Sequence, residues 1–284
     1  EALPGGLASL DAMSGRDGEF VLAGQDDSGQ PVLGVLDAQG AFEALALPED
    51  VLSVDAVCRT GEGAAALAFT EAGACILSYS GGEHSRVELA AEAADHLYGD
   101  LGLAVRDGNY YVMYYMGIVE FGPDGQAARS CMGEEKWSYF TSMQEADGRI
   151  YVAMGDGMDG GGTLCELDTE NMALVTADTG ELGVTVLGLS AEGGLLLSGE
   201  LEGRDVVAEP GEGGPAELFD WSEPGVAVVT YLGLWEQPDG SYTPKMKCSD
   251  SASKAIIPGK KMPWRLYDEN GQAQCDLIAM DGEV

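Results

Sequence analysis

The stretch Asp107–Gly125, DGNYYVMYYMGIVEFGPDG, reads as turn, strand, strand, turn. Asp-Gly at its head and Pro-Asp-Gly at its tail supply residues that accept the backbone angles of a tight turn. Between them lies an almost unbroken apolar segment rich in aromatic and β-branched residues, which favour strands. A strand with one face in water should alternate apolar and polar residues, and this one does not. The pattern therefore predicts a sheet covered on both faces.

The same unit recurs on either side. Gly18, Gly63, Gly108, Gly148, Gly193 and Gly240 end the first hairpin turn of successive units, at intervals of 45, 45, 40, 45 and 47 residues. A second series (Gly40, Gly82, Gly125, Asn171, Gly214 and Gly271) falls between them at intervals of 42, 43, 46, 43 and 57. Glycine and asparagine suit such turns because positive φ costs them little. The two series interlock into six units of four short strands. In the third unit the strands are expected at His96–Arg106, Asn109–Tyr115, Met116–Gly122 and Gln126–Cys131.

A four-stranded sheet repeating every 40–47 residues is the pattern of a β-propeller blade. The predicted fold class is all-β: one β-propeller domain over residues 1–284, with about six four-stranded blades, or seven if a blade is missing or irregular. No helical pattern intervenes, which argues against a parallel α/β fold. A β-sandwich or barrel with the same turn spacing is the alternative.

On this period and turn placement the chain resembles the β-propeller superfamily of bacterial secreted or surface proteins. The likeness spans nearly the whole chain but carries no subfamily signature. There is no Gly-His…Trp-Asp pairing and no Ser-x-Asp-x-Gly-x-Thr-Trp box. The double glycines Gly81-Gly82, Gly193-Gly194 and Gly213-Gly214 lack the Tyr and Trp of kelch repeats. The resemblance implies a fold and not an activity. It also implies an extracellular or cell-surface setting, in keeping with a chain that begins at Glu1 as a processed protein would.

Charge narrows the partners. With 49 acidic against 14 basic residues the net charge is −35, which repels phosphate backbones and anionic lipid. Nucleic acid is therefore not an expected partner. No run approaches the roughly 20 apolar residues of a membrane-spanning helix. A protein, a glycan, a small molecule or another domain of a longer parent chain is compatible with such a surface.

Few residues suggest chemistry. The six cysteines (58, 75, 131, 165, 248 and 275) form no C-x-x-C pair and sit in or beside apolar strands, so buried thiols are expected. Cys248 with Cys275 is the most plausible bridge, since both flank one irregular segment. His84 lies in a turn and His96 at a strand mouth, and both read as solvated. The loop from Asp156 to Gly162 is a weak calcium candidate through Asp156 and Asp159, but it lacks the third acid and closing glutamate of an EF-hand-like loop. No cofactor is implied.

The sixth unit breaks the repeat, with about ten extra residues within Lys245–Pro263. Five of the six lysines lie there, and residues 245–265 carry a net charge of +5. Lys245, Lys247, Lys254, Lys260, Lys261 and Trp264 are accordingly the candidate partner-binding residues. The expected function is a non-catalytic binding or scaffolding propeller presenting a ligand surface at one rim. The alternative is a carbohydrate-active hydrolase or lyase using carboxylates at the central channel. Convergent carboxylates with a histidine, arginine or metal would favour the enzyme.

Overall fold

Asp107 and Gly108 both have positive φ, 51° and 80°, and Arg106 pairs with Asn109 across them. This is the two-residue turn whose twist matches that of the flanking strands. Asp147-Gly148 and Gly81-Gly82 repeat the same positive-φ pair. In the computed structural model, residues 3–220 are described apart from 17, 62, 134–137, 157–161, 190–193, 203 and 212–215. Four later strands are described as well.

These hairpins build five four-stranded antiparallel sheets, each in simple meander order. The first comprises β1 (Leu7–Arg16), β2 (Glu19–Asp26), β3 (Pro31–Leu36) and β4 (Phe42–Ala44). The second comprises β5 (Val51–Arg59), β6 (Gly63–Thr70), β7 (Gly73–Ser80) and β8 (Glu83–Glu88). A four-residue helix, α1 (Ala91–Ala94), leads to the third: β9 (Gly102–Arg106), β10 (Asn109–Tyr114), β11 (Gly117–Phe121) and β12 (Ala127–Met132). The fourth is β13 (Ser138–Ala146), β14 (Arg149–Asp156), β15 (Gly162–Asp168) and β16 (Ala173–Thr176). The fifth is β17 (Gly183–Leu189), β18 (Leu195–Leu201), β19 (Arg204–Glu209) and β20 (Ala216–Asp220). The sixth unit holds two hairpins, β21 (Val229–Glu236) with β22 (Tyr242–Cys248), and β23 (Met262–Tyr267) with β24 (Ala273–Ala279).

The first strands of the five sheets lie side by side in the order β1, β5, β9, β13 and β17, and β21 and β17 both lie beside β1. Small sheets set around an axis by their first strands form a β-propeller, which excludes the sandwich and open-barrel alternatives.

The hydrophobic core is divided among the wedges between blades. Along β10, Tyr110 and Val112 pack toward the second blade with Leu67 and Ile76. Tyr111 and Met113 pack toward the fourth with Ile150 and Val152. Val21 and Leu33 meet Ala66 and Leu77 between blades one and two, and Leu164 meets Leu197 between blades four and five. Alternation is present in direction but not in polarity, because each face of a blade is covered by a neighbour. The continuous apolar runs follow from this. Fully burying such a Val, Leu or Phe contributes roughly 1.5–3 kcal/mol each.

Polar ties join the blades at the repeat interval. Ser14 Oγ accepts from the Arg59 amide at 3.1 Å, and Ser142 Oγ from the Leu187 amide at 3.2 Å, each 45 residues on. Thr141 Oγ1 donates to the Thr185 carbonyl at 2.8 Å. Glu120, only 2% exposed, accepts from Asn109, Tyr111 and Arg129 at 2.9, 3.2 and 2.5 Å. Arg129 also donates to the carbonyls of Thr169 and Glu170 in the next blade at 2.8 and 2.6 Å. The arginine beside it, helped by the other donors, holds the Glu120 carboxyl below its usual pKa despite burial.

Three sequence expectations need correction. The first strand of unit three starts at Gly102, not His96, because α1 and a coiled segment occupy what precedes it. Asn171 does not carry the positive φ of its turn; Met172 does, at 51°, while Asp168 accepts from the amides of Glu170 and Asn171. Gly63 has no positive φ either. A Cβ there would lie 1.8 Å from the Tyr79 carbonyl oxygen, so it is small for close strand approach.

Cys58, Cys75, Cys131 and Cys165 are buried and form no disulfide. Burial pushes the Cys58 thiol up to about 12, and those of Cys75 and Cys131 to about 11. Thiolate, not thiol, is the nucleophile. Iodoacetamide at pH 8 followed by peptide mass spectrometry should therefore leave Cys58, Cys75 and Cys131 unmodified in native protein and label them in urea. Rapid native labelling of Cys58 would contradict its packing. The side chains of Cys248 and Cys275 lie outside the described residues.

Candidate functional site at the channel mouth

The inner strands need a device to turn side chains into the channel, and β-bulges supply it. β1 shifts register between Leu10 and Ala12, and β5 between Val54 and Ala56, which leaves Asp11 and Asp55 without a cross-strand partner; Asp11 Oδ1 accepts from Ser9 Oγ at 3.1 Å. Both carboxylates line a cavity of about 420 Å³ at the inner strands of the first four blades. Asp100, just before β9, and Gln144 on β13 line it too. Asp11, Asp55, Asp100 and Gln144 follow one another at intervals of 44, 45 and 44 residues, one from each blade. Ser53 and Gln25 add neutral polar groups.

No histidine, arginine or lysine stands among the described residues that line this cavity. No group of three or more metal-ligating side chains forms among the described residues. Glu145 follows Gln144 without lining the cavity. Burial raises its carboxyl pKa, against the pull of Arg16 and Arg106. Three aspartates line one cavity, and among its described lining residues no cationic side chain accompanies them.

Tyrosines rise beside this mouth. Tyr98, in the segment leading to β9, stacks on Tyr115 with ring centroids 6.0 Å apart and planes 28° from parallel. Tyr115, in the β10–β11 turn, stacks on Tyr139 of β13 at 5.6 Å and 12°. Tyr114 meets Tyr98 edge to face at 6.4 Å. The backbone holds the column: the Tyr115 amide donates to the Tyr98 carbonyl and the Phe140 amide to the Tyr115 carbonyl, both at 3.0 Å. Tyr98 is 54% exposed and Tyr115 39%. Thus the aromatic run of Asp107–Gly125 divides: Tyr110 and Tyr111 are core, Tyr114 is partly buried against that core, and Tyr115 is exposed.

The residues singled out in the sequence lie elsewhere. Lys245 and Lys247 are not in an inserted loop but on β22, opposite Gly233 and Thr230, and Trp264 is on β23 opposite Leu277. Lys254, Lys260 and Lys261 fall within residues 249–261, outside the described residues. Asp156 ends β14, and Asp159 lies outside the described residues. His84 and His96 are exposed, as expected. The aspartates now at the mouth were hidden among 49 acids. Reading them in phase with the repeat is the signal that would have found them.

No protein-family model matches the sequence, and no curated protein matches it significantly. Solved structures do resemble the fold. A Bacteroides caccae protein of unknown function shares 16% identity, with a TM-score of 0.52, over 76% of this chain and 84% of its own. A functionally unknown Desulfotomaculum acetoxidans protein shares 13% identity at a TM-score of 0.50, over 98% and 87%. A Bacteroides fragilis protein provisionally named a 6-phosphogluconolactonase shares 14% at 0.47, over 96% and 82%. At such identities the first two likenesses speak for the fold alone.

Proposed function

We propose that this β-propeller is a non-catalytic binding module, with all six units in one ring, that takes a small ligand at the channel mouth. Its setting is extracellular or at the cell surface. The observation that carries this reading is the meeting of a polar, axial cavity with an exposed aromatic column on one rim. Ligand sites combine concavity, apolar or aromatic wall and a few convergent polar groups. A rigid ring that presents variable rim segments suits recognition.

The test is a ligand-observed NMR screen of glycans and metabolites against intact protein, repeated on Asp55→Arg. Asp55 is exposed, so the variant should fold with a melting temperature within about 2 °C of the parent, as surface substitutions usually do. Binding that is lost in Asp55→Arg supports the mouth as the site. Turnover of any bound glycan would replace this reading with the hydrolase or lyase alternative.

A further inference from the structure

The column is an assembled platform. Tyr98 precedes Gly99 and Asp100, and Tyr139 is separated by the buried Phe140 from Thr141 and Ser142; those four residues line the cavity and the tyrosines stand beside it. The column therefore bridges the entrances of β9 and β13, two strands that frame the mouth. Room for the rings comes from two glycines. A Cβ on Gly99 would lie 2.9 Å from Tyr115 Cβ, and one on Gly155 would lie 2.4 Å from the Tyr139 ring. Backbone hydrogen bonds hold Tyr98, Tyr115 and Phe140 in line. An exposed tyrosine pinned in this way contributes flat contact area at low entropic cost.

We propose that this platform takes the flat apolar face of a neutral pyranose, with the sugar hydroxyls donating to the carboxylates and amides of the mouth. The inference deepens the binding reading and rests on it. The column carries the argument, and the lining chooses the ligand. Asp11, Asp55 and Asp100 are acceptors only, Gln25 and Gln144 accept as well as donate, and a polyol supplies several donors in one plane. The described lining offers no cation to an anionic sugar or a phosphate ester, and leaving those charges unpaired beside three carboxylates is costly. Tyr115 lies between Tyr98 and Tyr139 with both faces covered, so the exposed end ring, Tyr98, is the one placed to meet a ligand. A single ring suits a planar face better than a spherical ammonium group, which needs a box.

The experiment titrates the intact protein calorimetrically with cellobiose, maltose, lactose and N,N′-diacetylchitobiose, with glucuronate and choline chloride as comparators. At least one neutral disaccharide should bind. Tyr98→Ala should weaken it about tenfold or more, the effect of removing a central aromatic contact, while Tyr98→Phe should stay within about threefold because the ring face is kept. Circular dichroism of both variants should match the parent. Disaccharide binding untouched by Tyr98→Ala and Tyr115→Ala would overturn the platform while leaving a binding module. Choline binding in place of every disaccharide would overturn the sugar assignment. Silence toward all six compounds would do so too, and the wider NMR screen then decides separately whether the module binds anything.

Discussion

Replacing Glu120 with alanine is expected to destabilise the protein by about 3 kcal/mol at pH 7, the low end for breaking a buried ion pair. Three donors, from Asn109, Tyr111 and Arg129, lose their acceptor at once. Arg129 is 41% exposed, so water recovers part of its solvation and keeps the loss from being larger. For a chain of this size the melting temperature should fall by roughly 5 °C or more. The pH dependence identifies the cause. The Glu120 pKa is lowered on folding from a reference of 4.5, so its contribution is full above that value and is lost as pH falls through the lower folded value. The stability gap between parent and Glu120→Gln should therefore be wide at pH 7 and close progressively below about pH 4.5. A gap independent of pH would mean that the carboxylate charge contributes nothing.

That pair also marks where the sequence could and could not be read. Glu120 is visible as one acid inside the apolar GIVEF run, and a charge on a strand covered on both faces needs a partner. Arg129 as that partner follows from the meander: nine residues on, across one turn, it faces Glu120 on β12. The arginine's reach to Thr169 and Glu170 depends on the angle between blades, which repeat spacing does not contain. The blades themselves were readable because each is a local object, and a turn sequence such as Asp107-Gly108 determines its own register. The mouth was not. Asp11 and Asp55 point to the channel because of bulges, and a bulge is one extra residue that leaves no compositional trace. Tyr98 and Tyr139 are 41 residues apart in sequence and both stack on Tyr115 only after the ring has formed.

The turn that ends the opening stretch provides the sharper test of how blades meet. Gly125 is buried with φ of 77°, and a Cβ added there would lie 1.9 Å from the Glu88 carbonyl oxygen of the second blade. Its own carbonyl accepts from the Ala90 amide at 2.9 Å, so the two backbones cannot separate without losing that bond. Gly40 occupies the equivalent turn of the first unit with φ of 82° and nothing within 4 Å of its Cβ position. Gly40→Ala should therefore cost only the left-handed strain, about 1 kcal/mol, whereas Gly125→Ala adds overpacking against rigid backbone and should cost about 3–4 kcal/mol. Asparagine separates the two contributions, because it tolerates the left-handed region but still carries a Cβ. Gly40→Asn should melt close to the parent, and Gly125→Asn should remain nearly as destabilised as Gly125→Ala. If Gly125→Asn were rescued as Gly40→Asn is, the contact between turn and neighbouring strand would be slack, and the close seating of blade three on blade two would be wrong.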